Sequence, residues 1–415
     1  MITADRLAAT AHLPAPLAVV DLAAFDVNAT ELLRRAGGRP VRLATKSVRV
    51  PELVERALAA GFSGLMAYSV REALWWVRRG ATDVLVGYPS ADRAALADLA
   101  ADPAARAAVT LMVDDVAHLD LLVDVAARVG SGALRGAHRA GGGRAPVADG
   151  DVVRVCLDVD ASLRPGPAWL GALRPHLGVR RSPLREPREV AALAEAAVVR
   201  GLEVRGLMFY EGQVAGLPDT SPAVRAVKRA SLAELGVRRG AVVRAVEAAV
   251  GPVTLVNGGG TGSLAATAAD PTVTELTAGS GLLAPTLFDG YRPGTGARPL
   301  TPAAFFGLDV VRRPGPGMVT VFSGGYVASG PVGPTRAPRP VLPAGLRLLR
   351  AEGAGEVQTP LRGRAADALA IGDRVWFRHA KAGEVMERFA EVALLDDAAD
   401  VAVVPTYRGL SQAFG

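Results

Sequence analysis

Three lysines, Lys46, Lys228 and Lys381, stand in a chain that has 47 Lys and Arg residues together. A guanidinium stays protonated in a protein, whereas a lysine amine can lose its proton and attack a carbonyl carbon to form a Schiff base. Where composition has pushed nearly every basic position to arginine, a surviving lysine is a candidate for that chemistry. Lys46 lies in 42-RLATKSVRVPEL-53, directly after the apolar run VRLAT and before a helix opened by Val50-Pro51. Lys228, in 222-PAVRAVKRASLAEL-235, reads instead as one polar position of an amphipathic helix. A second chemical signal is 255-LVNGGGTGSL-264, where glycines follow a strand. Backbone N–H groups in such turns bind phosphate. No Gly-Lys-Ser/Thr follows, so this is not a nucleotide P-loop, and its glycine spacing is not that of a dinucleotide fingerprint. A further turn, 278-AGSGLL-283, offers more N–H groups to the same anion.

The elements that must position these residues are short apolar runs alternating with helical patterns. Strands are expected at 17–21, 41–45, 64–68, 83–88, 109–114, 152–159, 204–210, 253–257 and 273–276, with helical stretches such as 51–61, 70–80 and 187–201 between them. Continuous apolar strands joined by crossovers of helical length indicate a parallel sheet covered on both faces. Eight strands from residue 41 to about 280 fit a closed (β/α)8 barrel near the ~250 residues typical of that architecture. The strand 17–21 then belongs elsewhere. Lys46 falls at the C-terminal end of the first barrel strand, the face that carries catalytic groups in such barrels. After residue 297, proline and glycine become frequent and short alternating runs follow at 318–327, 374–379 and 399–409, which indicates a small all-β domain. The expected division is a barrel over 22–296 and a β domain over 297–415 joined by the N-terminal strand of 1–21. The segment 130–150, rich in Gly, Ala and Arg, reads as an inserted surface loop, and His138 within it carries no catalytic weight.

Composition excludes several classes. No uninterrupted apolar run reaches membrane-spanning length, and the N-terminus lacks the apolar segment of a signal peptide. Cys156 is the one cysteine, which excludes an intramolecular disulfide and fits a cytoplasmic protein. It sits in a strand and is expected to pack rather than react. The net charge of +6 comes from arginines spread along the chain, with no dense basic run interleaved with aromatics, so nucleic acid is not an expected partner.

Taken in order, RLATKS, GLMFYEG, NGGGTGS and TELTAGSG resemble the fold-type III pyridoxal-phosphate enzymes. Within them the sequence is most similar to the D-threonine aldolase and D-serine dehydratase group, relatives of alanine racemase. The likeness covers nearly the whole chain. It implies a barrel of alanine racemase type with a C-terminal β domain, pyridoxal 5'-phosphate held by Lys46 as a Schiff base, and a homodimer. It further implies that Tyr210 packs against the cofactor ring, that Gly259, Gly260, Thr261 and Gly262, with Gly279 and Ser280, hold the phosphate, and that Asn257 is among the cofactor-binding residues. Either Arg164 or His176 approaches the cofactor's phenolic oxygen, and the expanded segment 158–183 leaves both open. Two departures stand out. The group binds a divalent metal through a His-x-Cys or His-x-Asp pair, where this chain reads His379-Ala-Lys381. An ammonium offers donors only, so no metal site is expected here. Lys381 either places its charge where the ion would sit, with His379 or Glu384 moving protons, or is a surface lysine of a degenerate site. Gln213, in YEGQ, stands where relatives often carry histidine.

Pyridoxal phosphate stabilises a carbanion at an amino acid's α-carbon, and the protein decides which bond breaks. The expected activity is that of a lyase on a D-configured β-hydroxy amino acid, by aldolase-type Cα–Cβ cleavage or deaminating dehydration, with His379 and Lys381 assisting Lys46. A racemase of the same fold, a non-catalytic pyridoxal-phosphate-binding protein and a dinucleotide-dependent oxidoreductase are the alternatives.

Overall fold

The computed structural model describes residues 2–130, 152–292, 297–331, 333–381, 383–398 and 400–414. Apart from Gly130, the segment expected as an inserted loop, with His138, lies outside the described residues. The chain divides into two compact units: residues 34–45 and 62–278 with the last two residues form one, and residues 1–33, 46–61 and 279–413 form the other.

The N-terminal strand β1 is Leu17–Asp21. The first-named unit is a closed parallel barrel of eight strands: β2 (Val41–Ala44), β3 (Leu65–Ala67), β4 (Val84–Val86), β5 (Val109–Val113), β6 (Arg154–Asp158), β7 (Glu203–Phe209), β8 (Leu255–Gly258) and β9 (Glu275–Ala278). Closure comes from the pairing of β9 with β2, Val41 opposite Leu276 and Leu43 opposite Ala278. Most of these strands are buried along their whole length, because helices cover one face and the barrel interior the other. The intervening helices start where the sequence supplies caps: the Ser69 side chain accepts from Glu72 N–H, and Glu186 with Glu189 forms a reciprocal capping box before Pro187.

Inward-facing side chains fill the barrel in layers. Leu85, Met112, Cys156, Met208 and Leu255 form one cluster, with Met66 against it. Below it lies a buried ionic network. Arg42, 2% exposed, donates twice to Glu275 at 2.7 Å, once to Asp83 Oδ2 at 2.7 Å, and to the Leu65 carbonyl. Two residues further along β5, β6 and β7, the same alternation puts Asp114, Asp158 and Tyr210 on the inner side.

The second unit is a nine-stranded sheet. Its strands are β1 with β10 (Ala304–Gly315), β11 (Met318–Phe322), β12 (Arg339–Leu342), β13 (Arg347–Leu348), β14 (Gln358–Arg362), β15 (Arg374–Arg378), β16 (Glu391–Leu395) and β17 (Val401–Pro405). The order is β13-β14-β11-β10-β1-β16-β17, with β15 joining β10 to β12. The N-terminal strand lies antiparallel to β10 and parallel to β16, which buries Val19 among Phe305, Ala393 and Leu395. Lys228 departs from the surface position read from the sequence. It is 8% exposed, on the helix Pro222–Val250, and its Nζ lies 2.8 Å from Asp219. Among the described residues no helix is long and apolar enough to cross a membrane.

Candidate active site

Lys46 follows β2 in a single 3-10 turn, Thr45–Ser47. Lys46 and the residues after it, to Gly61, belong to the β-rich unit, whose contacts fix that turn closely. Ser47 Oγ lies 3.0 Å from Ser280 Oγ, the first residue of the short helix Ser280–Leu283. Arg49 adopts a φ of 59°, uncommon for a residue with a Cβ. Three contacts hold it there: Arg49 Nε donates to the Lys46 carbonyl at 3.1 Å, its Nη1 pairs with Glu387 at 2.7 Å, and its carbonyl accepts from Tyr407 N–H at 3.0 Å. Gly383 packs its backbone on the same turn, so closely that a Cβ there would land on the Ser47 carbonyl. Lys46, Ser280 and the segment after His379-Ala-Lys381 are therefore parts of one unit.

In that segment His379 is 2% exposed and lines a small pocket with Lys381, Glu384, Tyr326 and Arg388. Lys381 Nζ lies 3.3 Å from the Ser329 carbonyl and 3.4 Å from its hydroxyl, and Glu384 accepts from Ser329 N–H at 3.0 Å. A cation, an imidazole and a carboxylate thus face one pocket, the inventory for holding an anionic group and moving a proton beside it. Among the described residues no three His, Cys, Asp or Glu side chains come together as a metal site.

The barrel unit carries the other candidates. Gly259 has a φ of 93°, and a Cβ on Gly260 would come within 2.8 Å of the Ala215 Cβ. Only glycine makes this turn and this approach. Ser263 N–H closes it on the Gly260 carbonyl at 2.9 Å, while the N–H groups of Gly260 and Gly262 meet no acceptor among the described residues. Thr261 is 7% exposed. The turn therefore fits the phosphate of pyridoxal phosphate: unspent backbone donors in a cradle that a side chain would fill. Gly259 has a different task, because its N–H donates to Glu211 at 3.2 Å. Asn257 is spent inside the barrel, its amide bonded to Glu275 at 2.7 Å and Thr277 at 2.9 Å.

Tyr210 continues β7, and its ring receives the Arg181 guanidinium at 5.0 Å from the centroid; the same guanidinium lies 5.3 Å from the ring of Tyr88. Of the two residues left open for the phenolic oxygen, Arg164 donates to Asp160 at 2.7 Å and His176 Nε2 lies 3.0 Å from the Val179 carbonyl. Burial alone would raise the Asp160 carboxyl. The Ser162 hydroxyl and N–H, with Arg164 and Arg185, hold it below the usual range. Arg164 is thus committed to a buried carboxylate, and Arg181 is the guanidinium on Tyr210. Sequence reasoning missed Arg181, one arginine among many, with no spacing to mark it. Gln213 donates to the Ala161 carbonyl at 2.7 Å, and its buried Oε1 meets no hydrogen-bond partner among the described residues. Asp158, 6% exposed at the end of β6, is pushed up to about 7 by burial and by neighbouring Asp114, against the opposing charge of Arg181. Burial also raises the Asp114 carboxyl, whose Oδ1 lies 3.2 Å from His118 Nδ1.

No protein-family model matches the sequence, and no curated protein matches it. Solved structures do. The D-threonine aldolase of Filomicrobium marinum superposes with a TM-score of 0.76 over 96% of each chain at 21% identity. The D-threo-3-hydroxyaspartate dehydratase of Delftia sp. HT23 gives 0.69 over 95% of this chain and 98% of its own, at 19% identity. An alanine racemase-like protein of Idiomarina loihiensis gives 0.68 over 95% and 97%, at 15% identity. In fold, this chain is one with the fold-type III pyridoxal-phosphate enzymes that its motifs resemble.

Proposed function

We propose that this chain is a pyridoxal-phosphate-dependent lyase acting on a D-configured β-hydroxy amino acid, with aldolase-type cleavage between Cα and Cβ as the reaction. Lys46 carries this reading: one of three lysines, it directly follows the first barrel strand, in a turn whose next residue bonds Ser280. Support comes from two enzymes of the same fold named for D-threonine and D-threo-3-hydroxyaspartate, both β-hydroxy amino acids.

Lys46 would hold the cofactor through its amine. The N–H groups of Gly260 and Gly262 would hold its phosphate, and Tyr210, with Arg181 on its ring, would border its aromatic ring. When bound, pyridoxal phosphate supplies an electron sink for the pair released at the substrate's α-carbon. The chain's own contribution is then to choose the bond, by orienting the β-hydroxyl and taking its proton. We assign that task to His379, with the Lys381 ammonium fixing the substrate oxygen beside it and Glu384 as the adjacent carboxylate. As in the relatives' mode of assembly implied by the resemblance, the working form is a homodimer.

Two measurements test this. Protein incubated with pyridoxal phosphate is expected to gain a visible band, and borohydride is expected to fix the label on Lys46 alone. With three lysines in the chain, peptide mapping is unambiguous. A label spread over Lys228 and Lys381, or none, sinks the assignment. D- and L-β-hydroxy amino acids are then assayed separately for aldehyde, keto acid and ammonia. Aldehyde with glycine from the D-forms is expected; keto acid with ammonia would make the enzyme a dehydratase instead.

A further inference from the structure

Glu211 is completely buried, and its carboxylate collects three donors from the glycine turn and the helix behind it. Gly259 N–H donates to Oε2 at 3.2 Å, the Ser263 hydroxyl donates to Oε1 at 2.8 Å, and the Thr267 hydroxyl donates to the same oxygen. Among the described residues no lysine or arginine pairs with it. A carboxylate buried without a cation is costly unless hydrogen bonds satisfy it, and here every donor comes from the segment that shapes the turn. The two flanking glycines extend the coupling. A Cβ on Gly212 would lie 3.1 Å from Tyr210 Cε1, and one on Gly260 would lie 3.7 Å from Tyr210 Cε2. The ring is therefore bordered by the residue after Glu211 on one edge and by the turn itself on the other.

We propose that Glu211 is the positioning residue of the phosphate turn: by binding Gly259 N–H, Ser263 and Thr267 it fixes the backbone so that Gly260 and Gly262 keep their N–H groups for the anion. The proposal rests on the pyridoxal-phosphate reading, since that cofactor supplies the phosphate. Glu211 touches neither cofactor nor substrate; it acts through the turn. A carboxylate is acceptor-only at both oxygens and so takes all three donors as they stand. Glutamine would set its NH2 either against the Gly259 N–H, a donor facing a donor, or against the two hydroxyls, which would then have to accept and turn their protons elsewhere; either way the turn loses a bond that holds it. The negative charge itself opposes an anion nearby. Geometry and charge therefore predict opposite effects of Glu211→Gln, which makes the experiment decisive.

The test compares apoprotein affinities for pyridoxal phosphate and for pyridoxal, which lacks the phosphate. Glu211→Gln is expected to weaken pyridoxal phosphate about tenfold while leaving pyridoxal unchanged, the size of one buried donor left unsatisfied. Ser263→Ala, which removes one donor and leaves a foldable turn, is expected to give the same selective loss at about threefold. Inorganic phosphate, raising the thermal midpoint of the wild type, is expected to lose that effect in Glu211→Gln. Equal weakening of both pyridoxal forms would make Glu211 merely structural, and tighter phosphate binding in Glu211→Gln would make its charge dominant. Either result overturns the proposal while leaving the cofactor assignment intact. Should the wild type bind neither pyridoxal phosphate nor inorganic phosphate, both readings fall together.

Discussion

The hydroxyls of Ser47 and Ser280 lie 3.0 Å apart, a bond between the residue after the candidate lysine and the first residue of the turn expected to complete the phosphate site. Ser47 is 1% exposed, so its hydroxyl has no ready access to water in exchange. The pair fixes where the Lys46 backbone stands with respect to Gly279 and Ser280. Removing either hydroxyl leaves its partner short of one hydrogen bond, worth about 1 kcal/mol. Ser47→Ala and Ser280→Ala are each expected to weaken pyridoxal-phosphate affinity about fivefold. The double variant should weaken it hardly further, as a spectral titration of all three proteins would reveal.

Gly383 supports the same turn from the β-rich unit. Any Cβ at this position meets the Ser47 carbonyl and Val48 N, which are backbone and cannot swing aside. Gly383→Ala is expected to cost about 1–3 kcal/mol of stability, as overpacking does. The yield of borohydride-fixed cofactor on Lys46 should fall with it. A variant of wild-type stability and labelling would show that the turn tolerates displacement.

Asp158 gives the barrel a pH dependence of defined sign. Its folded-state pKa, raised to about 7 by burial and by Asp114, exceeds the ordinary value of about 3.9. Between those values the native state holds a proton that the unfolded chain has released, so this group lowers stability as pH rises from about 4 to about 7. Above that range the loss is complete. Asp158→Asn abolishes the term, and its stability relative to wild type is expected to climb across that window and level off beyond it. Urea unfolding at a series of pH values measures this, and a pH-independent difference would refute it.

Arg42 holds the lower layer of the barrel together. Replacing it with methionine leaves Glu275 buried with one donor, the Asn257 amide, in place of a bidentate guanidinium. The expected cost is about 3–5 kcal/mol, the range for breaking a buried pair from one side. Replacing Arg42 and Glu275 together by Met and Leu should recover much of it, a comparison open to denaturant titration.

The barrel was legible because most of its strands are buried along their whole length and therefore read as largely apolar runs. Its eight strands begin and end within about two residues of the runs read from the sequence. The β-rich unit was legible in texture and only partly in elements. β12 and β14 contain Pro340 and Pro360, and β10 ends in Pro314-Gly315, so their sequences look like turns. Lys46 was conspicuous through its rarity and its place at the end of the first barrel strand. Lys228 shared that rarity, yet it is buried against the half-buried carboxylate of Asp219, because an Ala- and Arg-rich helix of 29 residues gives little periodicity to say which side is covered. Arg181 and Glu211 were hidden for opposite reasons. Arginine is everywhere in this chain, and a single acid after a strand has no pattern until the fold brings Gly259, Ser263 and Thr267 around it.

Cys156 sits in the middle layer of the barrel, fully covered, between Met112 and Met208 on the adjacent strands. Burial pushes its thiol up, so it stays in the unreactive protonated form while the barrel is intact. Because it is the one thiol in the chain, a sulfhydryl dye has a single place to go, and it arrives only when β5, β6 and β7 part. The dye's incorporation rate is therefore a clock for barrel opening. A ligand that fastens strand ends around the mouth should slow that clock in proportion to its occupancy, which turns a packing residue into a label-free-of-background gauge of cofactor loading.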